Sequence, residues 1–183
     1  MSVDAHDPGG KVRLPLMAGV SGDATFSADG KYRQLMRRWT GPAFGDRYIL
    51  FIGMNPSTAD ATVNDPTCAR EWTFAQREGY AAMAKANVGD YRATDPKMLL
   101  VPGVHAVSDA NLPAIRAVAA RADMVVLCHG KLNKALAPAG KALVEALKVA
   151  SPLTPGISAR RTRPPGSCAS TLMPSGRSAA PGH

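Results

Sequence analysis

Arg47-Tyr-Ile-Leu-Phe-Ile-Gly-Met-Asn-Pro-Ser-Thr-Ala-Asp60 is a short apolar run that breaks off into glycine, asparagine, proline and small polar groups. Tyr48 to Ile52 is apolar at every position, as a strand buried on both faces of a parallel sheet must be. Gly53 permits close backbone approach, and Pro56 stiffens the turn behind the Asn55 amide. A parallel strand ends this way where its carboxyl end opens onto a ligand crevice. A strand closed by an Asx-Pro turn is the plainer reading of the same residues.

The flanking sequence alternates helix and strand. Asn64-Asp65-Pro66-Thr67 starts a helix, with Asp65 as the N-cap and Pro66 in the first turn, and Gly79 stands where a C-terminal glycine belongs. Cys68, Trp72 and Ala75 fall on one face of that helix. Tyr80 to Val88 reads as a strand of small residues ending at Asn87, and residues 91–106 as a loop. Asp109 or Asn111 caps a further helix that runs to Arg121 and buries Leu112, Ile115 and Val118. Met124 to Cys128 is a buried strand that stops at His129-Gly130. A last helical pattern turns Leu132, Leu136, Leu143, Val144 and Leu147 inward and is kinked or split at Pro138. Upstream, Phe26 to Trp39 reads as a turn with a strand or a short helix. The alternation predicts an α/β domain with a parallel sheet and helices on both faces.

A chain of 183 residues accommodates one such domain. Residues 1–24 are rich in glycine and aspartate without periodicity and are expected to form a mobile arm; residues 25–150 form the domain. Residues 151–183 hold six prolines, four glycines and four arginines, with no acid, and are expected to be disordered. The net charge is +8, and those four arginines supply half of it. Charge therefore argues only weakly for a nucleic-acid partner. Cys68, Cys128 and Cys168 are odd in number and widely spaced, which suits a reducing cytoplasm better than a disulfide framework or a zinc site. The N-terminus lacks a secretory apolar segment, and no stretch approaches a membrane span. No cofactor, metal or membrane partner is expected, and a monomer is.

Several polar residues converge on the same end of the domain in this reading. Asn55 and Asn87 close neighbouring strands and would face one ligand; an amide carries both a donor and an acceptor, which is what reading a nucleobase edge requires. Gly53, Met54, Pro56 and Ser57 shape the loop, Asp60 offers a carboxyl group near Asn55, and Asp65 with Thr67 opens the helix. Arg70 and Arg92 are phosphate candidates, each equally readable as a solvated surface residue. His129 follows a strand directly and could point into the same crevice, although a strand-end histidine is more often a satisfied structural residue. No Walker loop, dinucleotide glycine fingerprint, metal cluster or Ser-His-Asp set is present.

Phe26-Ser, Tyr32-Arg-x-Leu35, Arg38-Trp39, Met54-Asn-Pro-Ser-Thr-Ala-Asp60, Asn64-Asp-Pro-Thr67, Arg70, Phe74-Ala75, Gly79-Tyr80, Asn87 and Tyr91-Arg-Ala-Thr-Asp-Pro96 resemble, in order and spacing, a bacterial family known as domain of unknown function 1643. The resemblance runs from about residue 26 to residue 130 and implies no activity. Gly53-Met-Asn-Pro-Ser57 is also similar to the first motif of the uracil-DNA glycosylase superfamily, in its mismatch-specific and single-strand-selective branches. That second resemblance implies a three-layer fold with a mostly parallel central sheet. It implies that Asn55 positions the water attacking the sugar, that Asn87 reads the extruded base, and that Phe74 or Tyr80 stacks on it. The chain departs from both patterns at its end, where neither a second glycosylase motif nor the bacterial family's closing His-Pro segment occurs. After Gly156-Ile157-Ser158 the sequence reads as an out-of-frame translation of a GC-rich gene, with a native basic tail as the competing explanation.

The expected function is therefore a nucleic-acid-acting protein, a hydrolase removing a deaminated or modified base. The alternatives are a non-catalytic nucleotide- or DNA-binding module and an enzyme on a free nucleoside. The placement of Lys31, Arg33, Arg37, Arg38, Arg70 and Arg92 discriminates between partners: gathered around Asn55 they favour DNA, scattered they favour a small ligand.

Overall fold

In the computed structural model, which describes residues 7–10 and 12–150, β4 (Ile49–Gly53) is buried at every position and lies inside a five-stranded sheet. The strand order is β2 (Val20–Phe26), β3 (Arg33–Thr40), β6 (Ala82–Asn87), β4, β7 (Met124–Leu127). β6, β4 and β7 run parallel; β3 joins β6 antiparallel, and β2 in turn joins β3 antiparallel. A second, two-stranded antiparallel pair joins β1 (Leu14–Pro15) to β5 (Val63–Asn64). The fold is α/β, and its central sheet is mixed rather than mostly parallel.

The period-two alternation of β4 supplies both cores. Ile49 and Phe51 pack with Met83, Val126 and the Cys68, Trp72 and Ala75 face of α1 (Pro66–Arg77). Leu50 and Ile52 pack on the opposite side with Ala84, Ala86 and residues of α2 (Asn111–Ala119) and α3 (Ala137–Ala150). The chain leaves β4 toward α1 on one face and leaves neighbouring β6 toward α2 on the other. The carboxyl ends of β4 and β6 thus flank a topological switch point, where open α/β sheets form their ligand crevices.

The start of α1 follows from its sequence. Asp65 accepts a hydrogen bond from the Cys68 amide at 2.8 Å, Pro66 sits in the first turn, and Gly79 ends the helix with φ of 80°.

Several expectations differ from the structure. The boundary between arm and domain was expected at residue 24, but β2 already begins at Val20 and β1 at Leu14. An edge strand held by its ladder to β3 needs little apolar periodicity, which hides it in a Gly- and Asp-rich sequence. Of the two readings of Phe26 to Trp39, the turn with a strand holds and the short helix does not: the segment is the end of β2, a turn and most of β3. Neither Asp109 nor Asn111 caps α2, whose N-cap is Ala110; the Asn111 amide instead donates to the Asn87 and Val88 carbonyls. Pro138 does not kink the last helix, because α3 begins one residue earlier and accommodates proline in its first turn. The tail expected to be disordered, residues 151–183, lies outside the described residues, as does the frame question at Ser158.

Candidate functional site

The loop after β4 and the loop after β6 are sewn together at the switch point. Pro56 O accepts from the Ala93 amide at 2.8 Å, Met54 O from Gly89 at 2.9 Å, and Gly53 O from Val88 at 2.9 Å. Asn55 adds to the seam, with Nδ2 donating to Ala93 O at 2.6 Å and to Pro56 O at 3.1 Å. Asn55 Oδ1 takes no hydrogen bond from a described residue, and Ser57 Oγ shares one with Thr94 Oγ1 at 2.8 Å. Upstream backbone crosses this seam: Thr94 N donates to Pro8 O, and Thr58 Oγ1 to Val12 O. Met54 packs its side chain into the core, and Pro56 is buried.

Behind the loop stands a buried row of charged groups that the sequence reading did not assign a role. Lys85 is 3% exposed and Glu71 7%, and Lys85 Nζ donates to Glu71 Oε1. Burial opposes the Lys85 charge, but the Glu71 carboxylate more than offsets this and holds the ammonium above its ordinary pKa. Cys128 Sγ donates to the same oxygen at 3.3 Å, and burial pushes that thiol up to about 12. Glu71 Oε2 is buried without a partner among the described residues. A Cβ on Gly53 would stand 2.7 Å from Asn87 Nδ2 and 3.0 Å from Lys85 Nζ, so the glycine makes room for both donors. The signal was in the sequence: a lysine inside Ala82-Met-Ala-Lys-Ala-Asn87 is buried on both faces of its strand.

Arg33 continues the row and is 1% exposed. It donates to Ala59 O at 2.7 Å and to Asn87 Oδ1 at 3.2 Å; among the described residues Nε has no partner and no carboxylate pairs with the guanidinium. Arg38, fully buried, is likewise held by neutral acceptors: Asn64 Oδ1 and the carbonyls of Arg37, Asp60 and Val63. Burial lowers the Arg38 pKa, and Arg33 adds repulsion. Arg92, on the loop after β6, is lowered by burial first and by Arg33 next. Its guanidinium lies 5.0 Å from the Phe26 ring centroid and donates to Gly30 O at 3.0 Å.

Arg92 and Asp60 line an open cavity of about 360 Å³ together with Phe26 and the turn Ser27–Gly30. Asp60 Oδ1 accepts from Thr62 N, Thr62 Oγ1 and Val63 N, at 2.7 to 3.0 Å. Burial would raise its pKa, yet these hydrogen bonds outweigh burial and hold it below the usual value. No group of three His, Cys, Asp or Glu side chains among the described residues is arranged to hold a metal ion.

The family model for protein of unknown function DUF1643 matches residues 33–164. The chain belongs to that family. No curated protein matches the chain, and no solved structure does.

The remaining expected site residues of this DUF1643 chain are dispersed. Asp65 caps α1, while Thr67 and Arg70 are exposed on that helix. Asn87 is buried with its side-chain Oδ1 engaged by Arg33. Phe74 packs edge-on against Phe51, 5.8 Å between centroids, beneath Arg77. Tyr80 precedes β6, at the opposite end of the sheet from Asn87, and faces Arg47. His129 lines a separate cavity of about 540 Å³ against α3, with Leu132, Gly140 and Val144. Of the six basic residues that were to discriminate between partners, Arg33 and Arg92 gather at the switch point with Lys31 in the adjoining turn. Arg37 pairs with Asp23, and Arg38 clamps the 60–63 loop.

Among the described residues, no helix is long and apolar enough to cross a membrane.

Proposed function

We propose that the protein binds a phosphate-bearing ligand of the nucleotide or nucleic-acid class at the β4–β6 switch point. The observation that carries this reading is Arg33. A guanidinium removed from water costs several kcal/mol unless an anion compensates it, and among the described residues only neutral acceptors face this one. Arg92 adds a second cation in the same electrostatic field, at the mouth rather than the floor. An anion bound at that mouth compensates the buried Arg33 charge. The partial scatter of the other basic residues favours a compact ligand over a long duplex.

The test is thermal unfolding in pyrophosphate or a short single-stranded oligonucleotide, against sodium chloride at equal ionic strength. A ligand that binds only the folded state raises Tm with concentration, adding roughly 2.7 kcal/mol of stability at a hundred times Kd. The same Tm in every salt sinks the proposal. Arg92→Ala removes the response if the anion sits where proposed.

A hydrolytic reading rests on a different atom. Asn55 is anchored through Nδ2, which leaves Oδ1 at the end of β4 as an acceptor for a water molecule. Hydrolysis of an N-glycosidic bond then needs only a neutral amide orienting water beside a developing oxocarbenium. Alkali-dependent nicking of uracil-, hypoxanthine- or mismatch-containing oligonucleotides that disappears in Asn55→Ala supports it. Oligonucleotide binding without nicking leaves a binding module.

A further inference from the structure

A strap from the start of the chain lies over the switch point. Pro8 is buried, and its carbonyl accepts from the Thr94 amide at 2.8 Å. Val12 O accepts from Thr58 Oγ1 at 3.1 Å. Gly10 sits so near both loops that a Cβ there would stand 2.5 Å from Thr94 Oγ1 and closer still to Thr58 Cγ2. Thr58 belongs to the loop after β4 and Thr94 to the loop after β6, so the strap bridges both sides of the seam. Gly9 takes a left-handed φ of 82°, and Asp7 Oδ1 holds its amide at 2.8 Å within the strap itself. Among the described residues, the Pro8 and Val12 carbonyls make the strap's only hydrogen bonds to the two loops, and Val12 is 53% exposed. Downstream the β1–β5 pair fastens the chain, Leu14 to Asn64 and Pro15 to Val63. A segment clipped to its neighbours by two neutral hydrogen bonds opens locally without disturbing the rest of the fold.

Resting on the phosphate reading above, we propose that this strap is a latch on the switch point, closed in this structure and lifted when the anion reaches Arg33. Arg33 Nη1 donates to Ala59 O, and Ala59 is fully buried beside Thr58, on which the strap rests. With the strap down, residues 57–59 are held against Arg33, and an anion compensates the guanidinium only from the mouth. With the strap up, those residues are free to move aside, and the anion meets the guanidinium directly. Ligand binding and latch closure then oppose each other, so whatever loosens the latch tightens the ligand. Each of the two hydrogen bonds shifts the balance between closed and open by about fivefold, the usual worth of a neutral pair. Gly10 is the sensitive point. Its φ is not left-handed, so alanine acts there through contact alone and pushes the strap off Thr58 and Thr94.

The experiment pairs amide hydrogen exchange, resolved residue by residue by NMR, with calorimetric titration of pyrophosphate against sodium chloride at equal ionic strength. The full chain is compared with Gly10→Ala and Thr58→Val. The second variant keeps the shape of the side chain and removes only the hydroxyl that holds Val12 O. In both variants the Thr94 amide is expected to exchange about fivefold faster or more, while the Ala93 amide, bonded to Pro56 O, and the Val88 amide, bonded to Gly53 O, keep their rates. Pyrophosphate is expected to bind about fivefold tighter to Thr58→Val and at least as much tighter to Gly10→Ala. Saturating pyrophosphate is expected to speed Thr94 exchange in the unaltered chain. Ala93 exchange that accelerates together with Thr94 overturns the latch, because the strap is then part of the seam. Pyrophosphate affinity that is unchanged or weaker in both variants also overturns it, while leaving the phosphate reading in place. If Gly10→Ala does not fold, Thr58→Val and the unaltered chain decide. Absence of pyrophosphate binding in every form removes the phosphate reading, and the exchange pattern alone then upholds or overturns the latch.

Discussion

Gly53 is where backbone and buried charge meet. A methyl group there would stand 2.7 Å from Asn87 Nδ2 and 3.0 Å from Lys85 Nζ, and neither side chain has open space to retreat into. Gly53→Ala is expected to cost about 1–3 kcal/mol in urea denaturation, the range for overpacking a well-filled interior. Glu71 has the larger effect. Glu71→Gln leaves Lys85 as an uncompensated buried charge and should cost about 3–5 kcal/mol, whereas the double replacement Glu71→Leu with Lys85→Met should come near the unaltered chain. A single and a double variant equally destabilised would show that packing, not charge, dominates this pair. Asp60 carries a pH dependence. Its folded pKa is depressed, so its contribution to stability is complete above the unfolded value of about 3.9 and is lost as pH falls through the folded one. Asp60→Ala should therefore destabilise at pH 7 and converge with the unaltered chain as pH falls through that depressed folded value, in chemical denaturation followed across pH.

At the scale of elements, α1 carries the clearest agreement between local sequence and structure. Its N-cap, first-turn proline and C-terminal glycine act on backbone groups a few residues away, so local reading suffices. Asp65→Ala removes the bond to Cys68 N and is expected to lower stability by about 1 kcal/mol. The β2–β3 hairpin is the opposite case. β3 holds Arg33, Arg37 and Arg38 in eight residues, and no periodic pattern marks Arg33 and Arg38 as the buried ones. Their burial is decided by partners distant in sequence: Asn87 and Ala59 for Arg33, Asn64 and the 60–63 loop for Arg38.

For the molecule as a whole, the α1 face of the sheet is a polar layer as much as an apolar one. Cys68 and Cys128 lie in that layer, and burial pushes each thiol up to about 12. At pH 8 the thiolate, which is the reactive form, is a minute fraction at either site. Iodoacetamide labelling mapped by mass spectrometry should leave both unmodified in the folded chain and modify both after unfolding in guanidinium. Fast labelling of Cys128 in the folded protein would mean that the layer opens to solvent.

The sequence alone specifies β4, α1, β6 and β7, because an apolar run, a capped helix and a small-residue strand are encoded by neighbours. It also marked the loop after β4 as the end of a buried strand. It did not determine that β2 and β3 join antiparallel, which turned an expected parallel sheet into a mixed one. Strand order depends on pairings across dozens of residues, and a single strand's pattern carries no record of its neighbour. It took the folded chain to turn the Asn87 oxygen to Arg33, to set Lys85 against Glu71, and to bring Asp60 and Arg92 to one cavity. Those are meetings of groups 14 to 54 residues apart in the chain, and charge compensation in a low-dielectric interior follows spatial distance alone.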